Sequence, residues 1–325
     1  MFRLKLVPDT TTINFFRFWR LTFGASVLGL MITIVSLFTM GLNFGIDFRG
    51  GTTIRTESSQ AVDVGAYRQA IGTLGLGDVT ITEVFDPGFR ADQFVAMVRI
   101  QAQDGQEAVS PEMIAAVEAA LHTVDPSVTF PSVESVGPKV SQELIKTALI
   151  SVILANFGMM AYIWLRFEWQ FAVGAAVALV HDALMTVGVF SLFQIKFDLT
   201  TIAALLTIIG YSVNDTVVIF DRVRENLIKF KQMPLKDVLN LTINETLSRT
   251  LMTSITTLLA LIALFAFGGD VIRGFVFAMI FGVFVGCYST VYVATVILWR
   301  LGVKRDWSKT QDDTPGTQFT TKPKA

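Results

Sequence analysis

Apolar residues gather into six long runs along this chain, at about positions 21–41, 146–165, 170–193, 199–220, 250–268 and 271–299. A helix needs roughly 20 such residues to cross a hydrocarbon core of about 30 Å. The pattern therefore predicts six transmembrane helices. The first run follows Arg3, Lys5, Arg17 and Arg20, but it is too long for a cleavable leader and has no small-residue cleavage site, so it is read as a permanent anchor.

Between the first and second runs the period changes. TTIRTE, VTITEVFD, QFVAMVRIQ and VTFPSVESV alternate as half-buried strands do, whereas DVGAYRQAIGTLG and SPEMIAAVEAALHTV carry apolar residues at helical spacing. The order is strand, helix, strand, strand, helix, strand, the split βαβ or ferredoxin-like arrangement, with Ser110 and Pro111 as the cap and first-turn pair of its second helix. The predicted organisation is an N-terminal segment over 1–20, a transmembrane helix over 21–41, an α+β domain over 42–144, five further transmembrane helices over 145–300 and a tail over 301–325. Beyond Trp307 the tail has too little apolar surface to fold and is expected to be disordered.

Composition agrees with a membrane bundle: 52% of residues are hydrophobic and 16% charged. A net charge of −1 gives no sign of a nucleic-acid partner, and the placement of charge says more than its sum. Basic residues precede the first run, then recur at Arg166, at Arg222, Arg224, Lys229, Lys231 and Lys236, and at Arg300, Lys304 and Arg305, which all fall on one side of a six-span topology. The positive-inside rule puts that side, with both termini, in the cytoplasm and the 42–144 insert outside it. The single cysteine, Cys287, lies within the last run and is read as a packing residue, so no disulfide framework is expected. There is no phosphate-binding glycine loop, zinc-ligand spacing or catalytic triad pattern, so neither an ATPase nor a hydrolase is predicted, and no metal or organic cofactor.

Polar residues inside apolar runs cost at least about 2.5–3.5 kcal/mol each when ionisable, so each requires a partner, a wet cavity or a role. The fourth run holds Ser212, Asn214, Asp215 and Thr216, with Ser212 and Asp215 on one helical face. Asp215 is either solvated near the cytoplasmic end or a titrating proton carrier, because burial favours the neutral carboxyl and a movable cation favours the ionised one. The cation on offer is Arg249, which opens the fifth run at a similar depth and otherwise snorkels to the interface. Thr250, Thr253, Ser254 and Thr257 follow it as a hydroxyl stripe expected to face the bundle interior. His181 and Asp182 sit mid-way along the third run about 100° apart, which predicts different environments, one of them inward. They are open to a proton-relay role or to a structural pairing with the fourth run. Asn156 is read as an interhelical donor, and GVFVG at 282–286 as a small-residue packing pattern. Asp221 is an exposed helix-end charge.

Several of these segments together, GLNFGIDFRGGT at 41–52, VGPKVSQEL at 136–144, LRFEWQFAVGAAVALVHD at 165–182, IGYSVNDTVVIFDRVREN at 209–226 and NETLSRTLMTSITTLLALIALFAFGG at 244–269, resemble the SecF branch of the SecD/SecF export proteins, within the resistance-nodulation-division superfamily. The resemblance implies a bacterial inner-membrane subunit that uses the proton motive force to promote preprotein translocation. Its implied partners are SecD, the SecYEG channel, YajC, the preprotein itself and membrane lipids. It also implies a proton relay through Asp215 and Arg249, and Ser212, Asn214, His181, Asp182, Thr253 and Thr257 are read from their place in the apolar runs as supporting polar membrane residues. The glycine turn of GIDFRGG, with Asp47, Arg49, Gly50 and Gly51, marks the exit from the first helix, and Asp47 and Arg49 are expected to reach a partner domain. Two other readings remain: half of a proton-driven small-molecule efflux transporter, or a passive assembly factor for SecD.

Overall fold

The computed structural model describes residues 11–77, 79–84, 89–90, 92–101 and 109–303. Arg3, Lys5, Lys304, Arg305 and the expected disordered tail lie outside the described residues. Six helical segments are long and apolar enough to cross a membrane: Phe15–Thr39, Lys139–Arg166, Trp169–Leu192, Leu199–Lys229, Leu235–Phe267 and Ile272–Leu301. They contain helices α1 (Trp19–Thr39), α5 (Pro138–Arg166), α6 (Trp169–Leu192), α7 (Leu199–Lys229), α8 (Leu235–Phe267) and α9 (Asp270–Ser289). After α9 the backbone widens into a π turn over Thr290–Ala294 and resumes as α10 (Thr295–Leu301). The protein is a multi-pass membrane protein.

The most apolar windows of α6, of α7 and of the Ile272–Leu301 segment are 50%, 39% and 56% buried within the chain, against 17%, 11% and 17% for those of α1, α5 and α8. The first three therefore form the centre of the bundle, and the others carry broad apolar faces outward. Small residues permit the central contacts. A side chain built at Gly282 would run into Ile208 of α7, one at Gly286 would meet Ser212, and one at Gly174 would press on the carbonyl of Ala294. The small-residue pattern at 282–286 is thus the seam between α7 and α9.

Two spans are longer than their apolar runs. The run ending at 220 continues helically to Lys229, and the run starting at 250 is preceded by helix from Leu235. The extensions pair as an antiparallel hairpin with its own buried stripe of Val223, Leu227, Val238, Leu239 and Ile243. Arg222 Nε donates to Glu245 Oε2 at 2.7 Å, and Asn226 Nδ2 donates to Glu245 Oε2 at 2.7 Å and to Thr242 Oγ1 at 3.0 Å. Amphipathic packing, rather than unbroken hydropathy, sustains the helix there.

Between α1 and α5 lie α2 (Ile46–Arg49), β1 (Gly51–Ser58), α3 (Val64–Gly72), β2 (Val79–Val84), β3 (Phe94–Ile100), α4 (Pro111–Val124) and β4 (Thr129–Val136). The strands form one antiparallel sheet in the order β2-β3-β1-β4. Ile54, Val98 and Ile81 stand on one face with Tyr67, Ile71, Val117 and Leu121 of the two helices packed over them. Ser110 caps α4, its hydroxyl accepting from the Met113 amide at 3.3 Å, and Asp63 caps α3 through the Gly65 and Ala66 amides. α5 follows β4 after the single residue Gly137 and starts well before the apolar run that begins at 146, so the sheet leads directly into a membrane helix.

One acid in this layer makes a prediction. Asp125 is only 6% exposed, and it accepts from Ser58 Oγ, from the Ser127 amide at 2.8 Å and from Ser127 Oγ at 2.6 Å. Burial works against its charge, but the hydrogen bonds from Ser127 and Ser58 outweigh it and hold the carboxyl below its ordinary value. A depressed carboxylate stabilises the fold above its unfolded value of about 3.9 and loses that contribution as pH falls through the folded value. Asp125→Asn is expected to destabilise this layer by about 1–3 kcal/mol at neutral pH. The difference should vanish in acid, as followed by amide exchange in β1 and β4. Equal exchange in the two proteins at pH 7 would show that the cluster adds nothing.

Candidate functional site

Asp215 stands on α7 inside the membrane segment, with Arg222 about 10 Å further along the axis toward the basic end. Its Oδ1 accepts from Thr250 Oγ1 of α8 at 2.6 Å, while its Oδ2 is buried and has no hydrogen-bond partner among the described residues. Arg249 comes close in sequence to that contact, but its side chain is exposed, and the two do not lie within ion-pair distance. Arg249 instead lines a cavity of about 470 Å³ with Arg166, Asp221, Arg222, Glu245 and Thr246. Asp221 pairs there with Arg166 at 3.3 Å and is about half exposed, as a helix-end charge should be. Asp215 thus combines a lone buried oxygen with a polar vestibule one to two turns away.

The stripe on α8 divides. Thr250 and Ser254 are buried, Ser254 Oγ lying 2.9 Å from Cys287 Sγ, and Thr257 is half-buried and accepts from the Tyr211 hydroxyl at 3.4 Å. Thr253 is exposed on this chain and bonds back to the carbonyls of Thr250 and Arg249. Asn214 also points outward. For α8, at the bundle edge, the inner face is narrow, so neighbours at 100° steps fall on both sides of its rim.

Ser212 and Asp215 do not work on one group. Ser212 Oγ donates to Asp182 Oδ2 of α6 at 2.7 Å. His181 and Asp182, expected in different environments, are both buried and bond each other, His181 Nδ1 lying 3.0 Å from Asp182 Oδ1. Adjacent side chains on a helix meet when both lean along the same groove, and here the groove lies against α9. Ser289 Oγ of that helix also donates to Asp182 Oδ2, at 2.8 Å. Ser289, Thr290 and the π turn were not singled out from sequence, although CYST at 287–290 is a polar cluster in the last apolar run. Asn156 leaves its Oδ1 buried without a partner among the described residues, so that oxygen is no interhelical tie.

At the opposite end of the bundle, the glycine motif is built into the membrane part. Gly45 N–H donates to the Phe197 carbonyl at 2.7 Å, and Phe197 N–H donates to that of Asn43 at 2.8 Å, which lays the motif beside the α6–α7 turn. Gly50 and Gly51 take φ of 71° and 113°, the left-handed region that glycine enters without strain, and redirect the chain into β1. Asp47 is engaged within the chain, since its Oδ2 accepts from the Leu199 amide at 2.9 Å in the first turn of α7. Arg49 remains exposed. Asp47→Ala should loosen that turn by roughly 1 kcal/mol, read as faster amide exchange at the start of α7 with the rest of the helix unchanged. No change there would mean that the capping box of Asp198 and Thr201 suffices alone.

Comparison with known proteins gives a consistent result. The family described as protein export membrane protein SecD/SecF, C-terminal, matches residues 116–304, and the SecD/SecF GG motif matches residues 35–62. The chain is 65% identical over 318 residues to the protein translocase subunit SecF of Cereibacter sphaeroides, covering 98% of both chains. It is 60% identical over 314 residues to that of Rhodobacter capsulatus, covering 95% of this chain and 94% of the other. Among solved structures it resembles SecDF, a translocon-associated membrane protein, from Thermus thermophilus, with a TM-score of 0.80 and 33% identity over 91% of this chain. It spans 39% of that longer chain.

Proposed function

The chain belongs to the SecD/SecF family of protein export membrane proteins, on its SecF branch, and from that membership we propose that it is a proton-driven subunit of a preprotein export motor. SecD is the partner that completes the bundle, as the fused chain of the SecDF structure supports. Apolar side chains such as Leu259, Ile262 and Phe267 of α8 and Leu149 and Leu154 of α5 give such a partner a surface to cover. The wider assembly comprises the SecYEG channel, YajC, the translocating preprotein and the surrounding lipid. The charged hairpin of α7 and α8 faces the cytoplasm of a bacterial inner membrane with both termini, and the sheet layer is a ferredoxin-like domain on the far side.

The observation that carries this reading is Asp215 itself, a carboxylate in a spanning helix held by one hydroxyl and carrying one buried unbonded oxygen. A structural carboxylate would have both oxygens engaged. A carrier must be able to take and lose a proton, and the free oxygen beside a polar vestibule provides that. Arg249 is the movable counter-charge, withdrawn in this conformation and able to swing to Asp215 once its proton has gone. Each proton crossing about 100 mV releases about 2.3 kcal/mol, which the α5–β4 junction transmits to the outer domain. The energy source is the gradient, with no bound cofactor. The test is preprotein translocation into inverted vesicles containing SecD and SecYEG, comparing wild type with Asp215→Asn, with and without a proton gradient. A passive assembly factor would export equally well in both.

A further inference from the structure

A second ionisable group lies deeper in the bundle than Asp215. Asp182 is fully buried, and donors from two other helices converge on its Oδ2, Ser212 of α7 at 2.7 Å and Ser289 of α9 at 2.8 Å. Its Oδ1 lies 3.0 Å from His181 Nδ1. His181 is 3% exposed, and its other ring nitrogen, Nε2, is buried with no hydrogen-bond partner among the described residues. The ring lies along Tyr288, with centroids 6.3 Å apart and planes inclined by 29°. Directly after Ser289 comes the π turn, where Thr290 Oγ1 meets Thr216 Oγ1 of α7 at 3.0 Å. Such turns are rare, and they concentrate at functional sites.

A purely structural tie does not explain this arrangement. With Nδ1 donating to Asp182, the neutral ring leaves Nε2 as an acceptor facing no donor, a cost that an apolar side chain would avoid. We propose that His181 and Asp182 form a second proton-binding station, loaded at His181 Nε2 and joined through Ser212 to the helix that carries Asp215. A proton arriving at Nε2 makes an imidazolium against the carboxylate of Asp182. The Nδ1 proton stays in the bond to Asp182, and loss of the Nε2 proton restores the neutral ring, so that one proton enters and one leaves by the same nitrogen. Ser212 lies three residues before Asp215, about 4.5 Å along α7. The station therefore lies next to Asp215, on its outer side.

The titratable groups that face this station are few. Tyr288 and Tyr292 stack in turn beside the imidazole. Cys287, next to Tyr288 in the chain, lies 2.9 Å from Ser254 Oγ of α8. The charged residues of the neighbouring α1, α5 and α10 are Arg20, then Lys139, Glu143, Lys146 and Arg166, and Arg300, all near helix ends, with Tyr162 an exposed phenol on α5. Among the described residues, the carboxylate and the serines bonded to it thus face the imidazole without a competing buried cation.

The proposal rests on the proton-carrier reading of Asp215, and its test is chosen to fail independently. The chain has two histidines, His122 and His181, so a His122→Gln background leaves a single imidazole to follow. In the complex with SecD in lipid bilayers, nitrogen NMR of labelled histidine should show the Nδ1-protonated neutral ring at high pH and conversion to imidazolium within about pH 4–9. Asp182→Asn should move that midpoint by about one pH unit or more. A ring that never titrates in this range overturns the station, as does a midpoint indifferent to Asp182. His181→Gln, which keeps a hydrogen-bonding group, should reduce gradient-dependent export by about tenfold or more while ATP-driven export persists. Undiminished gradient-dependent export in an assembled His181→Gln complex also overturns it. If His181→Gln does not assemble, the titration decides alone. Gradient-dependent export that survives Asp215→Asn instead sinks the carrier reading, and it leaves the His181 titration to be judged separately.

Discussion

Asp215→Asn is expected to remove the gradient-dependent part of export, by about tenfold or more, while leaving ATP-driven initiation and assembly with SecD intact. The substitution is nearly isosteric, and the amide oxygen can still accept from Thr250 Oγ1, which now holds the carboxylate at 2.6 Å. What it cannot do is exchange a proton, so a loss of coupling without loss of the complex isolates the titration from the packing. Arg249→Met should give the same phenotype by a different route, because it removes the charge that drives Asp215 to its ionised state and leaves much of the aliphatic stem. Arg249→Lys should retain partial coupling, a point charge replacing the guanidinium fork. Export that responds to a gradient as strongly in assembled Asp215→Asn complexes as in wild type would make Asp215 structural, and the protein would then be better understood as a scaffold for SecD.

Gly188→Leu should have the largest effect on the fold itself. At this crossing α6 meets α1 so closely that any Cβ on Gly188 would overlap the Thr33 side chain. The hydrogen bonds of the crossing depend on that approach: Ser36 Oγ lies 2.8 Å from Ser191 Oγ, and Ser191 Oγ donates to the Gly41 carbonyl at 2.7 Å. Overpacking costs about 1–3 kcal/mol in a tight core, and pushing α1 away also unseats the glycine motif that follows it. We expect Gly188→Leu to be degraded or to fail to accumulate in membranes, and Gly188→Ala to be intermediate. Gly158→Leu serves as the control, since nothing lies within 4 Å of a Cβ placed there. Wild-type levels of Gly188→Leu would show that α1 is held by something other than this contact.

Much of the architecture was legible because it depends on local periodicity. Six apolar runs of membrane length, the alternation of strands and helices between the first two, the cap at Ser110 and the turn at Gly50 and Gly51 each rest on residues near one another in sequence. The candidate polar groups were also visible, since an aspartate among apolar residues stands out without any knowledge of its neighbours. Their pairing was not. Asp215 was matched by depth to Arg249, whereas the structure gives it Thr250, one residue on, and turns the arginine toward a vestibule. Ser212 was placed with Asp215 by its spacing, yet its hydroxyl serves Asp182 on another helix.

The sequence by itself therefore determined how many helices cross the membrane, what kind of layer interrupts them and which polar side chains enter the apolar zone, because each of these follows from the free energy of transferring a local segment. Only the tertiary structure decided the rotation of each helix about its axis and its depth against its neighbours. Those are set by which small residues allow close approach, as Gly188, Gly282 and Gly286 do, and by where a π turn shifts the following side chains. A rotation of one residue, 100°, exchanges a buried hydroxyl such as Ser254 for an exposed one such as Thr253. No pattern confined to one helix contains that choice.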